Sequence, residues 1–139
     1  MYELNQENID KITIEDWKEL IDLIPDIEKT NEFGTLVISS TENENYFPFM
    51  DSSEIVDTFI KLVCDKNMVQ VFDWMEWKEG QDILEKGEGD YSEFGFITLV
   101  KLITTIVRND RFCEGYLVHK FEDGTILKIL NRVKFLITK

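Results

Sequence analysis

Four stretches of the chain repeat apolar side chains at intervals of three and four, the period of a helix with one buried face. Over residues 14–24, Ile14, Trp17, Leu20, Ile21 and Ile24 fall on one side. Thr13 stands where an N-cap belongs, Glu15 and Asp16 supply acids that suit the first turn, and Pro25 ends or redirects the helix. Residues 53–66 carry the same stripe in Ile55, Val56, Phe59, Leu62 and Val63. Ser52 or Ser53 caps this helix, and Lys66-Asn67 suits its end. Residues 92–109 are the most apolar of the four: Phe96, Leu99, Val100, Leu102, Ile103, Ile106 and Val107 form the inner face. Thr98, Lys101, Thr105, Arg108 and Asn109 are assigned to the outer face. A last helix over 125–137, with Thr125 as its cap, buries Ile126, Ile129, Leu130, Val133, Leu136 and Ile137. It turns Lys128, Asn131 and Arg132 outward.

Shorter patterns fill the gaps. Gly34 to Ser39 is β-branched after a glycine and reads as a strand. Thr41 to Asn45 is a polar loop. Tyr46 to Met50 is apolar and extended, and Pro48 keeps it from being a central strand. Met68 to Phe72 reads as a second strand, expected to pair with residues 35–39. Gly80, Gly87 and Gly89 among many acids make 78–91 mostly loop. Asp110 to Gly115 breaks the chain, and Tyr116 to Phe121 is a short helix stopping at Asp123-Gly124. The sum is an α+β fold: a predominantly helical single domain, residues 1–139, with a small sheet of short strands.

Composition agrees with a packed domain. Hydrophobic residues make up 43% of the chain and aromatics 12%, enough for a core without a disulfide or metal staple. Cys64 and Cys113 form no CxxC pair, and His119 is the only histidine, so no metal site is expected. No phosphate-cradling or dinucleotide motif is present, and no cofactor is expected. The polar, acidic start is unlike a signal peptide. The longest apolar stretch, Phe94 to Val107, is broken by Thr98, Lys101, Thr104 and Thr105 and is too short for a bilayer. The cytoplasm is the expected compartment, with both thiols reduced.

Charge is unevenly divided. Residues 1–91 carry 23 acidic and 7 basic side chains, a net of −16, whereas residues 92–139 carry 5 and 8, a net of +3. The overall −13 disfavours nucleic-acid phosphates and leaves a basic protein partner open. Contact between the acidic part and the basic face around Lys128 and Arg132 is expected, within one chain or between two, so a homo-oligomer is compatible with the sequence.

Two motifs carry chemistry. Asp73-Trp74-Met75-Glu76-Trp77 sets two indoles and two carboxylates within five residues. Such a group can grip a sugar, a cation or a peptide, but Trp buries large area wherever it packs, which favours a structural role. Arg108-Asn109-Asp110-Arg111-Phe112-Cys113-Glu114-Gly115 places two guanidiniums, two carboxylates and a thiol after the apolar helix. It could hold an anion or do acid/base work. It could equally be an Arg–carboxylate network that satisfies helix-end carbonyls. A nucleophilic Cys113 would need a base that the sequence does not place. No catalytic residue is assigned. Asp73, Trp74, Trp77, Arg108, Arg111 and Glu114 are expected to gather into one cluster, either a closed structural network or an open binding site.

The run Leu99 to Leu117, with Arg108, Arg111, Phe112, Glu114, Gly115 and Leu117, resembles a bacterial family known as domain of unknown function 6508. Phe72 to Trp77, Tyr46-Phe47-Pro48 and Gly124 with Ile126 and Leu130 extend the resemblance over roughly residues 46–133. The family carries no known activity. The resemblance implies only that the aromatic–acid and arginine motifs are the places to look. The expected function is a small binding or regulatory module recognising a protein or a small ligand. One alternative is an enzyme on a small anionic substrate, with Arg108 and Arg111 holding the anion and Glu114 or Asp73 as acid/base. Another is an acidic mimic of nucleic acid that occupies a basic protein.

Overall fold

A computed structural model describes residues 6–37, 49–86, 91–113 and 115–138. The chain runs through α1 (Gln6–Asp10), α2 (Ile14–Ile21), α3 (Ile24–Lys29), β1 (Gly34–Val37), β2 (Phe49–Ser52), α4 (Glu54–Asp65), a 3-10 turn (Trp74–Glu76), α5 (Lys78–Lys86), α6 (Phe96–Asp110), α7 (Tyr116–Glu122) and α8 (Thr125–Ile137). The fold is predominantly helical, with one short strand pair. No helix among the described residues is long and apolar enough to cross a membrane.

The helix periods hold, with revised ends. Thr13 caps α2 through a reciprocal box: its hydroxyl accepts from the Asp16 amide, and the Asp16 carboxylate accepts from the Thr13 amide. The helix expected over 14–24 is two helices. Pro25 lies in the first turn of α3, where its missing N–H has no partner to lose, so it starts a helix as well as stopping one. Asn67 closes α4 in the left-handed region at φ 61°. Thr125 is the first residue of α8 rather than its cap. Gly124 holds the cap position at φ 87°, and the Asp123 carboxylate accepts from the Thr125 amide and hydroxyl.

The sheet differs from expectation. β1 pairs antiparallel with β2, Gly34 facing Ser52 and Val37 facing Phe49, and not with residues 68–72. The latter form no strand, because a helix side chain satisfies their backbone: Thr104 Oγ1 accepts from the Gln70 amide at 3.0 Å and donates to the Met68 carbonyl at 3.5 Å. Residues 78–86 form α5 where a loop was expected. The first half of the expected 34–39 strand is β1. Residues 38–48 and 87–90 lie outside the described residues, including the polar loop at 41–45, Tyr46 to Pro48, Gly87 and Gly89.

The buried side chains make one core. α2 packs on α8, α6 on α7, and Phe121 of α7 meets Phe59 of α4 and Phe33, the residue before β1, through ring contacts at 5.3 Å. Thr105, assigned to the outside of α6, is buried, and its hydroxyl returns to the Lys101 carbonyl of its own helix. Lys128 and Arg132 are half-buried rather than projecting. Arg132 donates to the Phe94 carbonyl at 2.8 Å, and Lys128 lies 5.9 Å from the Tyr91 ring. Among the described residues, the ion pairs join residues of the same half of the chain: Lys66 to Asp16 and Glu19, Lys18 to Glu15, and Asp123 to Lys120 and His119.

Candidate functional site

The face of α6 that carries Lys101 is covered by the segment ending in the aromatic–acid motif. Lys101 Nζ sits 4.8 Å from the Trp77 ring and 5.4 Å from the Phe72 ring, and those rings meet edge-on at 5.8 Å. Trp77 in turn lies flat against Gly80 of α5, where a side chain would overlap the indole. One motif thus folds over α6 because a glycine makes room for its second tryptophan.

The first tryptophan reaches the arginine motif. Trp74 and Phe112 lie 6.0 Å apart. Arg108 is seven residues after Lys101 on α6, so helical spacing puts those two on one stripe, and Phe112 follows in the turn beyond the helix end. The turn that presents Phe112 is tightly held. The Phe112 and Cys113 amides both donate to the Asn109 carbonyl, and Asp110 Oδ1 accepts from the Leu117 amide at 3.0 Å. Gly115 completes the turn at φ 88°, a conformation that L side chains avoid. Gln81 donates to the Met75 carbonyl at 2.8 Å and holds the 3-10 turn beside it.

The resulting surface is open and apolar. Phe112 is 71% exposed, Val71 65% and Met75 56%. Asp73, Glu76 and Arg111 are exposed as well. Neither Arg108 nor Arg111 forms an ion pair among the described residues, so no Arg–carboxylate network is seen there. The two motifs are joined by Trp74 and Phe112, an aromatic contact rather than an ionic one. Trp77 packs on Lys101, not on an arginine, and Glu114 lies outside the described residues. Sequence reasoning placed Lys101 merely on the outer face. Its position two turns before Arg108 was the signal available.

The model of a family of unknown function, DUF6508, matches residues 12–139. The chain belongs to that family. The match takes in α2 through α8 and both motifs, and it reaches further toward the N-terminus than the motifs alone suggest. No curated protein and no solved structure matches the chain.

A second polar group in this DUF6508 chain escaped the sequence reading. Lys120 of α7 is buried, yet its ammonium donates to the Leu84 carbonyl of α5 and, at 3.2 Å, to Asp123 Oδ2. It also lies 5.3 Å from the Tyr116 ring. Burial acts to raise the Asp123 pKa, but the Thr125 hydroxyl and amide and the Lys120 charge outweigh it, and the net shift is downward. Tyr91 is buried nearby. Burial first, then the Asp123 and Tyr116 charges, push its pKa up to about 12, and its hydroxyl has no hydrogen-bond partner among the described residues. The Lys120–Asp123 pair is internally satisfied and ties α5 to the α7–α8 turn. That is a structural role, and nothing in the sequence pattern distinguishes Lys120 from a surface lysine.

Proposed function

We propose that this DUF6508 chain is a binding module whose recognition surface is the Trp74–Phe112 contact together with Val71, Met75, Arg108 and Arg111. The partner is a protein segment presenting an apolar side chain next to a carboxylate. Phe112 carries the reading: a phenylalanine 71% exposed, yet held in a hydrogen-bonded turn, keeps an apolar group in water without freedom to hide it. Pre-ordered aromatic anchors beside arginine are what binding hot spots are made of. Arg108 and Arg111 leave their charges unspent on any carboxylate among the described residues, which suits an incoming acid. Asp73 and Glu76, exposed on either side of Trp74 and Met75, would select against a second carboxylate.

The same reading sets the module in a bacterial cytoplasm, supported by the family resemblance and by two exposed free thiols, Cys64 and Cys113. The test is site-specific cross-linking in the native host. A photo-reactive residue at 112 should capture a partner that the same residue at Phe135, also exposed but on α8, does not. The purified partner should then bind Phe112→Ala or Arg111→Glu at least tenfold more weakly, with melting temperatures unchanged. Equal binding to those variants would sink the assignment. A partner that instead contacts the acidic residues of α2 and α3 would favour the nucleic-acid mimic.

A further inference from the structure

The outer face of α8 is basic and apolar. Lys128, Asn131, Arg132 and Phe135 recur at intervals of three and four, opposite the buried Ile126, Ile129, Leu130 and Val133, and the helix contains no acid. Phe135 is 51% exposed. Arg132 is held beside it: Nε donates to the Phe94 carbonyl at 2.8 Å, and the guanidinium lies 5.0 Å from the centre of the Phe135 ring. That grip leaves the Nη groups for an acceptor, and Arg132 forms no ion pair among the described residues. A guanidinium fixed by one hydrogen bond and one ring is pre-ordered for a carboxylate that stands next to an apolar side chain.

The neighbouring helix carries what this face lacks. α2 packs on α8, and its exposed side chains include Glu15, Glu19 and, at its end, Asp22. Ile14, the first residue of α2, is 57% exposed. Phe94, bonded to Arg132, is two residues from Phe96, which stacks on Trp17 at 5.3 Å. The first turn of α2 therefore lies close to the level of Arg132. An acidic and a basic helix side by side make a surface complementary to itself. A two-fold axis running between them lays α8 of one copy over α2 of the other, and the reverse.

We propose that this face pairs two copies of the chain. Phe135 of each copy meets Ile14 of the other. Arg132 of each takes Glu15 of the other, which within its own chain has only a surface contact with Lys18 at 3.6 Å. One contact thus covers both exposed apolar residues that lie outside the aromatic surface, and it spends an attraction that no ion pair among the described residues spends within the chain. Two helices roughly 20 Å long and 10 Å wide give a footprint of about 400 Å² per copy, half of what stable complexes bury, so the dimer is weak and reversible. The net charge of −13 on each copy opposes it. That repulsion is screened beyond ~8–10 Å at physiological salt, whereas the contact pairs are closer, so pairing belongs to physiological salt and above.

The experiment is sedimentation velocity on the full chain at physiological ionic strength, from micromolar to millimolar concentration. The average mass should rise toward two chains. Arg132→Glu and Glu15→Arg should each weaken association at least tenfold, because each sets like charges together at both contacts of the dimer. An equimolar mixture of the two variants should restore it, since the mixed pair has opposite charges at both contacts. Phe135→Ser should weaken association with no loss of melting temperature, which keeps the test open if Arg132→Glu melts lower for want of the Phe94 bond. Phe112→Ala should pair as the unaltered chain does, which separates this face from the aromatic surface. The proposal fails if the mass stays that of one chain throughout, if Glu15→Arg and Phe135→Ser pair as well as the unaltered chain, if the mixture of folded variants does not recover, or if Phe112→Ala abolishes pairing.

Discussion

Thr13 and Ser53 occupy the same position at the start of two helices and do different things. The Thr13 hydroxyl accepts from the Asp16 amide within a capping box, whereas the Ser53 hydroxyl caps nothing. Replacing a working cap with alanine costs about 1 kcal/mol. Thr13→Ala is therefore expected to lower unfolding free energy by about that amount, while Ser53→Ala should stay within about 0.5 kcal/mol, the range of a change that breaks no feature. Urea denaturation of both variants checks this, and a Ser53→Ala loss as large as that of Thr13→Ala would show that the hydroxyl is engaged in capping after all. Sequence offered serine and threonine as equal candidates. The backbone does not separate them, since both cap residues are extended, at φ −81° and ψ 163° for Thr13 and φ −73° and ψ 164° for Ser53.

At the scale of elements, α5 and the 68–77 segment are where local pattern and structure part. Gly80 and its acidic neighbours read as loop, because glycine weakens a helix by roughly 1 kcal/mol relative to alanine. In the structure a Cβ at Gly80 would come within 2.1 Å of the Trp77 ring. Gly80→Ala should therefore forgo the usual helix gain and destabilise by about 1–2 kcal/mol, since overpacking costs typically ~1–3 kcal/mol. Trp77 would also be lifted off Lys101, so tryptophan fluorescence should shift with the melting curve. A stabilised Gly80→Ala would mean that Trp77 does not pack there. The strand expected at 68–72 failed for a related reason. β-branched residues favour a strand only when a neighbouring strand pairs with them, and here Thr104 of α6 takes the backbone groups instead.

For the molecule as a whole, two buried or half-buried groups set the pH range of stability from opposite sides. The Asp123 pKa is depressed, so its contribution is present above the ordinary carboxylate range and is lost as pH falls through the lower folded value. The Tyr91 pKa is raised, so its contribution is full below the ordinary tyrosine value and is lost as pH rises toward about 12. Asp123→Asn should soften the acid limb of the stability profile. It should also cost about 3 kcal/mol at neutral pH, because it strands the buried Lys120 charge. Tyr91→Phe should flatten the alkaline limb without cost at neutral pH, since it removes a hydroxyl that has no partner among the described residues. Thermal melts across pH measure both. An unchanged neutral-pH melting temperature in Asp123→Asn would overturn the pairing, and an unaltered alkaline limb in Tyr91→Phe would overturn the burial of that hydroxyl.

The helical stripes of α4, α6 and α8 were legible in the sequence because their period needs only local geometry: a face buried every 3.6 residues shows wherever the helix lies. The arginine turn and the aromatic–acid run were legible as unusual clusters for the same local reason. That Trp74 meets Phe112 while Trp77 takes Lys101, that β1 chooses β2, and that Lys120 turns inward to Leu84 and Asp123 were settled only by tertiary packing. Each joins residues far apart in the chain or inverts a side chain's usual exposure, and a one-dimensional pattern holds no distance between such groups. Local periodicity determined which faces are buried, and the closing of the core determined what they are buried against.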